Sequence, residues 1–296
     1  MDEEQLLFTL FSIVSIAFGG VIGSFINVCA YRLPEGRSVI SPGSRCPKCA
    51  SPIAWYDNIP VISWVLLRAK CRECGEWISW RYPLVEAITA GLGFLVFWRF
   101  GISVATPVYI ILAASLVLVT IVDLTDWIIP NEVTLPGIPL SIGVALLAMW
   151  FPDSGIRVLG HFLPVFNALI GVIVGGASLY LLDKISLLLL KKRGMGMGDV
   201  KLLAMLGGFF GYPGVLMVVM VASVIGSIVG VIMITVAKKA PTVAPSETDD
   251  EDDEDMVALS GHYLPFGPYL CLGGLVVMFF GADIYDYYMA MVDLGM

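Results

Sequence analysis

Two groups of side chains in this sequence have the types and spacing for chemistry. The first is carboxylates at the ends of apolar runs. Asp123 and Asp126 close one such run, in Ile121-Val122-Asp123-Leu124-Thr125-Asp126, and Asp199 opens another after Gly194-Met195-Gly196-Met197-Gly198. An ionisable group at membrane depth is costly and defaults to a functional reading. Two carboxylates brought close do not both ionise easily, so one keeps a proton. Such a pair supplies a base to activate water and an acid to protonate an amide leaving group. Gly194, Gly196 and Gly198 allow positive φ and leave room for an extended peptide beside the loop. Plain alternatives stand beside this reading. Asp199 could serve only to cap a helix, and Asp126 could be an exposed loop acid. The residues alone do not separate Asp123 from Asp126.

The second group is Cys46-x-x-Cys49 and Cys71-x-x-Cys74. Two such knuckles offer four thiolates at the spacing of a closed tetrahedral Zn²⁺ site. A closed site has no open position for a substrate, so its expected role is structural. Cys29 and Cys271 fall in apolar runs and read as small fillers. His161 and His262 are isolated and read as non-catalytic.

The elements that must hold these groups follow from composition. The chain of 296 residues is 58% hydrophobic and 14% charged, with mean hydropathy +0.87. That excludes an ordinary soluble domain. Apolar runs predict about eight membrane helices, at 5–28, 83–100, 105–122, 133–151, 160–183, 200–211, 214–237 and 265–285. The sixth is short, tilted or partly re-entrant. The first starts Met1-Asp2-Glu3-Glu4, unlike the basic start of a cleaved signal, and reads as retained. The net charge of −8 is dominated by the acidic run 249–255, so no nucleic-acid partner is implied. That run lies in a Pro/Ser/Thr-rich segment, about 240–260, read as a solvated loop.

Orientation follows from the basic residues. All of the 17 lysines and arginines except Arg99 and Arg157 fall on one side of the eight-helix arrangement. The positive-inside rule makes that side cytoplasmic and puts both termini outside. A seven-helix alternative, with 200–211 not crossing, would send Lys238 and Lys239 outward. The expected fold is therefore an all-α polytopic membrane protein with a small cytoplasmic zinc-knuckle-like loop between helices 1 and 2. A transporter with intramembrane acids is the competing class, but here the acids fall at helix ends on one face.

At these residues the sequence resembles the type IV prepilin peptidase family, bifunctional leader peptidases and N-methyltransferases. The resemblance runs through Gly23-Ser24-Phe25-Ile26-Asn27, Cys46-Pro47-Lys48-Cys49, Asn58-Ile59-Pro60, Leu67-Arg68-Ala69-Lys70-Cys71, and Trp80-Arg81-Tyr82-Pro83-Leu84-Val85-Glu86. It continues at Asp123 with Ile129-Pro130-Asn131, then Gly194 to Leu202, then Pro265-Phe266-Gly267-Pro268. It departs at Ala69, where the family usually has glycine. The resemblance implies Asp123 and Asp199 as the catalytic pair. It implies cleavage of prepilins and pseudopilins of type IV pili and type II secretion, on the cytoplasmic side of the bacterial inner membrane. S-adenosylmethionine would then methylate the new N-terminus. Relatives lacking the cysteine loop only cleave, so a leader peptidase without methylation is the alternative. Asn27, Arg81 and Glu86 are candidates for the methylating part, although Glu86 could equally pair with Arg81 or be an acid of a first helical turn. The implied organisation is helix 1 at 1–28, the cysteine loop at 29–82 within a methyltransferase-associated region of about 19–100, and a peptidase domain at 105–237. An acidic loop at 238–264 and a last helix and tail at 265–296 complete it.

Overall fold

The computed structural model describes residues 2–191, 195–237 and 265–293. Gly194, the acidic run 249–255, Lys238, Lys239 and His262 lie outside the described residues. The long elements are helices α1 (Glu3–Arg32), α3 (Arg81–Phe100), α4 (Ala105–Asp126), α5 (Asn131–Trp150), α6 (Pro164–Leu190), α7 (Met197–Ala237) and α8 (Gly267–Asp293). A 3-10 turn, Trp55–Asn58, and a short helix α2, Ile62–Leu66, lie between α1 and α3. Among the described residues there is no strand, only isolated bridges Arg45–Pro52 and Lys70–Trp77. The chain is a multi-pass membrane protein, with seven elements long and apolar enough to cross.

The expected count of about eight meets these seven elements at α7. Gly211 breaks its helical geometry with φ 76° and ψ 174°. Glycine adopts that φ without a Cβ penalty, and Pro213 follows it. Contacts with α8 give the direction of each leg. In the leg before Gly211, Gly198 meets Ile129, which also touches Gly267, while Leu206 meets Gly274. In the leg after it, Val218 meets Gly273 and Gly226 meets Tyr269. The first leg therefore runs parallel to α8 and the second antiparallel, so the element is a hairpin of two helices. The first leg is about 21 Å long at the α-helical rise, shorter than the hydrocarbon layer of roughly 30 Å. The Leu159 N–H donates to the Phe210 carbonyl at 3.0 Å, satisfying backbone at the break.

Helices α1 and α3 pair antiparallel, with Gly93 against Ser15 and Gly23 against Glu86. This pair packs on α4, α4 on α8, α8 on α7, and α7 on α5 and α6. The first described residues and the C-terminal end of α8 lie at the same end of the bundle. There Arg99 bonds Asp283 and Arg157 bonds Asp286. The core is densest around the first leg of α7, where Leu202, Leu203, Met205, Leu206, Phe209 and Phe210 are buried. Several helices outrun their apolar stretches. Helix α1 reaches Arg32 rather than residue 28, and α6 spans Pro164–Leu190 rather than 160–183. The reason is that a helix does not stop where the hydrocarbon does.

Candidate active site

Asp123 lies in the last turn of α4 and Asp199 in the first turn of α7, at the end of the bundle opposite the Arg99 and Arg157 ion pairs. Both are buried, at 5% and 8% exposure, and close enough to feel each other's charge. They line one cleft of about 320 Å³ with Trp127, Ile128, Ile129, Asn131, Gly196, Met197, Gly198 and Lys201. Asp126 is exposed, does not line this cleft, and accepts a hydrogen bond from its neighbour Thr125 at 2.6 Å.

Each carboxylate is held by one backbone N–H from a helix start. Asp199 is the third residue of α7 and accepts from Gly196, the residue before that helix. This is half of a capping box. Asp199 is therefore not the N-cap residue that one reading of the sequence offered; it lies inside the first turn, and one oxygen reaches back to the amide before the helix. The other, Oδ1, is buried with no hydrogen-bond partner. Asp123 accepts from the Gly267 N–H at the first position of α8, where amides have no partner within the helix. Sequence reading quoted Gly267 within a motif and gave it no role. A Cβ there would collide with Asp123 Oδ2 and stand 3.1 Å from Ile129 Cδ1. A Cβ on Gly198 would stand 2.8 Å from Ile129 Cβ. Ile129 is thus wedged between two glycine faces and sets the spacing of α7 and α8.

Further residues of this end were also unassigned by sequence reading. Lys201 Nζ donates to Asn131 Oδ1 at 2.8 Å, tying α7 to the start of α5. Buried Asp183 of α6 accepts from the Met195 N–H at 3.3 Å, at the edge of the glycine loop. Its place as the last residue of the apolar run 160–183 is the one signal that could have flagged Asp183 in the sequence.

The four cysteines converge between α1 and α3, with sulfurs all within 4.8 Å of one another. Four thiolates on a tetrahedral metal at 2.3 Å are about 3.8 Å apart, and Cys46 Sγ lies 3.8 Å from Cys74 Sγ. The donor set therefore fits a metal ion. The knuckles repeat each other. Cys46 N–H donates to Ser51 O and Ala50 N–H to Cys46 O, as Cys71 N–H does to Glu76 O and Gly75 N–H to Cys71 O. Ala50 and Gly75 take the same positive φ, 58° and 69°. Hydrogen bonds from Ser51 hold the Cys49 thiol down at about 6. Although the Glu76 amide favours its thiolate, Cys74 is pushed up to about 12 by desolvation and the other sulfurs. A divalent cation would relieve that crowding.

The methylation candidates take structural partners. Asn27 Nδ2 donates to Tyr82 O at 3.1 Å. Glu86 does not pair with Arg81, as one reading expected; its Oε2 accepts from Val61 N–H at 2.7 Å.

Residues 17–100 match the family described as Bacterial Peptidase A24 N-terminal domain, and residues 110–231 the Type IV leader peptidase family. A prepilin leader peptidase/N-methyltransferase of Pseudomonas putida is 32% identical over 93% of this chain and 92% of its own length. The chain belongs to the type IV leader peptidase family. Proteins of the same name from Myxococcus xanthus and Neisseria gonorrhoeae are also similar. They are 39% and 36% identical over 72% and 71% of this chain, covering 60% and 78% of their own lengths. No solved structure matches. The family's N-terminal match takes in the second half of α1, the cysteine cluster and α3, and its peptidase match takes in both aspartates.

Proposed function

We propose that this chain is an aspartic endopeptidase that cleaves the leader from type IV prepilins and pseudopilins and then methylates the new N-terminus. The observation that carries the peptidase reading is the pair of buried carboxylates in one cleft, each held by one backbone N–H, with Asp199 Oδ1 unpartnered. One carboxylate takes a proton from water as its oxygen attacks the scissile carbonyl carbon. The other carboxyl gives its proton to the amide nitrogen as the C–N bond breaks. Gly196 and Gly198 border the cleft; Gly196 carries no side chain to obstruct an extended peptide beside Asp199, while the bare face of Gly198 is taken by Ile129.

The bundle end that carries the cleft also carries the described lysines and arginines other than Arg99 and Arg157, and we assign it to the cytoplasm of the bacterial inner membrane. The new N-terminal amine would attack the methyl of S-adenosylmethionine, releasing S-adenosylhomocysteine and a proton. The names of the relatives and the match over residues 17–100 support that step; Asn27, Arg81 and Glu86 stay proposed for its region. The domain division follows the sequence reading, with a methyltransferase-associated region of about 19–100 and a peptidase domain of 105–237.

Co-expression with a prepilin tests both activities by the mass of the mature pilin. Loss of the leader plus one methyl mass is the expected result. Leader loss without the methyl would leave a peptidase alone, and an uncut pilin would refute both activities.

Zinc is the metal assigned to Cys46, Cys49, Cys71 and Cys74, where it would cross-link the loop and supply no chemistry to cleavage. Replacing Cys46 and Cys49 with serine is expected to lower bound zinc from one equivalent to none by elemental analysis. Residues 44–78 should become the first site of limited proteolysis. A parent protein purified without zinc would contradict the assignment.

A further inference from the structure

The segment between the two knuckles turns into the bundle. A Cβ on Gly20 of α1 would lie 3.2 Å from Pro60 Cβ and 3.9 Å from Ala90 Cβ of α3. Ala90 is at the middle of α3, whose 20 residues span about 30 Å and match the hydrocarbon layer. Gly20 lies about 18 Å along α1 from Arg32 by the same rise. Both helices place Pro60 below the membrane surface.

The backbone there is satisfied as lipid requires. Ile59 N–H donates to Ser63 Oγ at 3.0 Å and Val61 N–H to Glu86 Oε2 at 2.7 Å. Ile62 N–H donates to Pro60 O, Ser63 N–H to Ile59 O and Val65 N–H to Val61 O. Pro60 has no N–H to satisfy. Val61 is held at φ 59°, rare for a β-branched residue and kept only by strong surroundings. The acceptor that fixes it, Glu86, is buried on α3. Outward from this turn stand Ile62, Val65 and Leu66, exposed by 56%, 60% and 76%. Trp80 and Tyr82, at the start of α3, are exposed as well, in the manner of an interfacial aromatic belt.

We propose that residues 58–66 form a re-entrant element and that acyl chains of the bilayer cover Ile62, Val65 and Leu66. Depth selects the occupant. The face starts level with the interior of α1 and α3 at Pro60 and rises toward the start of α3, where Trp64 Nε1 donates to Ile78 O at 3.0 Å; beside two helices that meet lipid, it is bathed by the same lipid. The polar work of the turn is done inward, by Glu86 and Ser63; Asn58 at its start is exposed, and from Ile59 onward the exposed side chains, Ile59, Ile62, Val65 and Leu66, are apolar.

Spin labels test this. Val65→Cys, Leu66→Cys and, as a reference in water, Glu35→Cys are labelled singly in the full-length zinc-loaded chain. Each is reconstituted one copy per nanodisc, with the labelled parent subtracted. Power saturation compares collisions with oxygen, which concentrates in lipid, and with a water-soluble nickel chelate. The ratio of oxygen to nickel accessibility is expected above one at 65 and 66 and below one at 35. A ratio below one at 65 and 66 would put the segment in water. Low accessibility to both reagents would put protein over the face. Either result overturns the proposal. Unchanged zinc content in each labelled chain excludes unfolding as the cause.

Discussion

Asp199→Asn is expected to stop leader cleavage while the chain still inserts, and Asp123→Asn to do the same. An asparagine side chain keeps an oxygen to accept from Gly196 or Gly267, so the helix starts stay capped. It cannot take a proton from water or hand one to the leaving amide. Loss of a general acid or base costs about 10²–10⁴ in rate. Because the two groups act as a unit, the double variant should be little worse than either single one. Asp126→Asn serves as the control. Its carboxylate is exposed and outside the cleft, so cleavage should stay near the parent rate. Rates are read from the appearance of mature pilin in membranes with matched enzyme levels. Processing by either single variant within about ten-fold of the parent, a difference of only 1.4 kcal/mol in barrier, would remove the pair from the chemistry.

The parts of this molecule legible in its sequence are those written in local pattern. Apolar runs gave the spans, and Gly211-Tyr212-Pro213 marked the reversal inside α7. The cysteine spacing predicted a cluster that the fold brings together. What was illegible depends on contacts between distant elements. Asp123 and Asp126 are less than one turn apart, and only the packing of α7 and α8 makes one buried and the other exposed. The Arg81–Glu86 pair, one of the alternatives the sequence offered for Glu86, fails for a geometric reason. Residues five apart on a helix do not share a face, and Glu86 turns instead to a backbone amide that no pattern announces. Gly267 had a motif but no role until α8 was placed against the end of α4.

That placement makes Gly267→Ala the most informative small change. The added methyl would collide with Asp123 Oδ2 and stand 3.1 Å from both Asp123 Cγ and Ile129 Cδ1. Ile129 has little room to yield, because its other side packs on the bare face of Gly198, where even a Cβ would stand only 2.8 Å from Ile129 Cβ. The carboxylate must therefore swing off the Gly267 amide. A displacement of about 1 Å at a reacting group costs on the order of 10²-fold in rate. Cleavage should fall by at least that much in kcat, with KM little changed, since the glycine loop that borders the cleft is untouched. Methylation of a pre-cleaved pilin peptide, whose proposed residues lie on α1 and α3, should persist and so report an intact fold. Gly143→Ala is the matched control. A Cβ there meets nothing within 4 Å, and alanine in a helix interior is favoured over glycine by roughly 1 kcal/mol, so that variant should cleave normally. Parent-like kcat in Gly267→Ala would mean that Asp123 does not work from the position in which the Gly267 amide holds it. The case for the cleft as the site of cleavage would then rest on Asp199 alone.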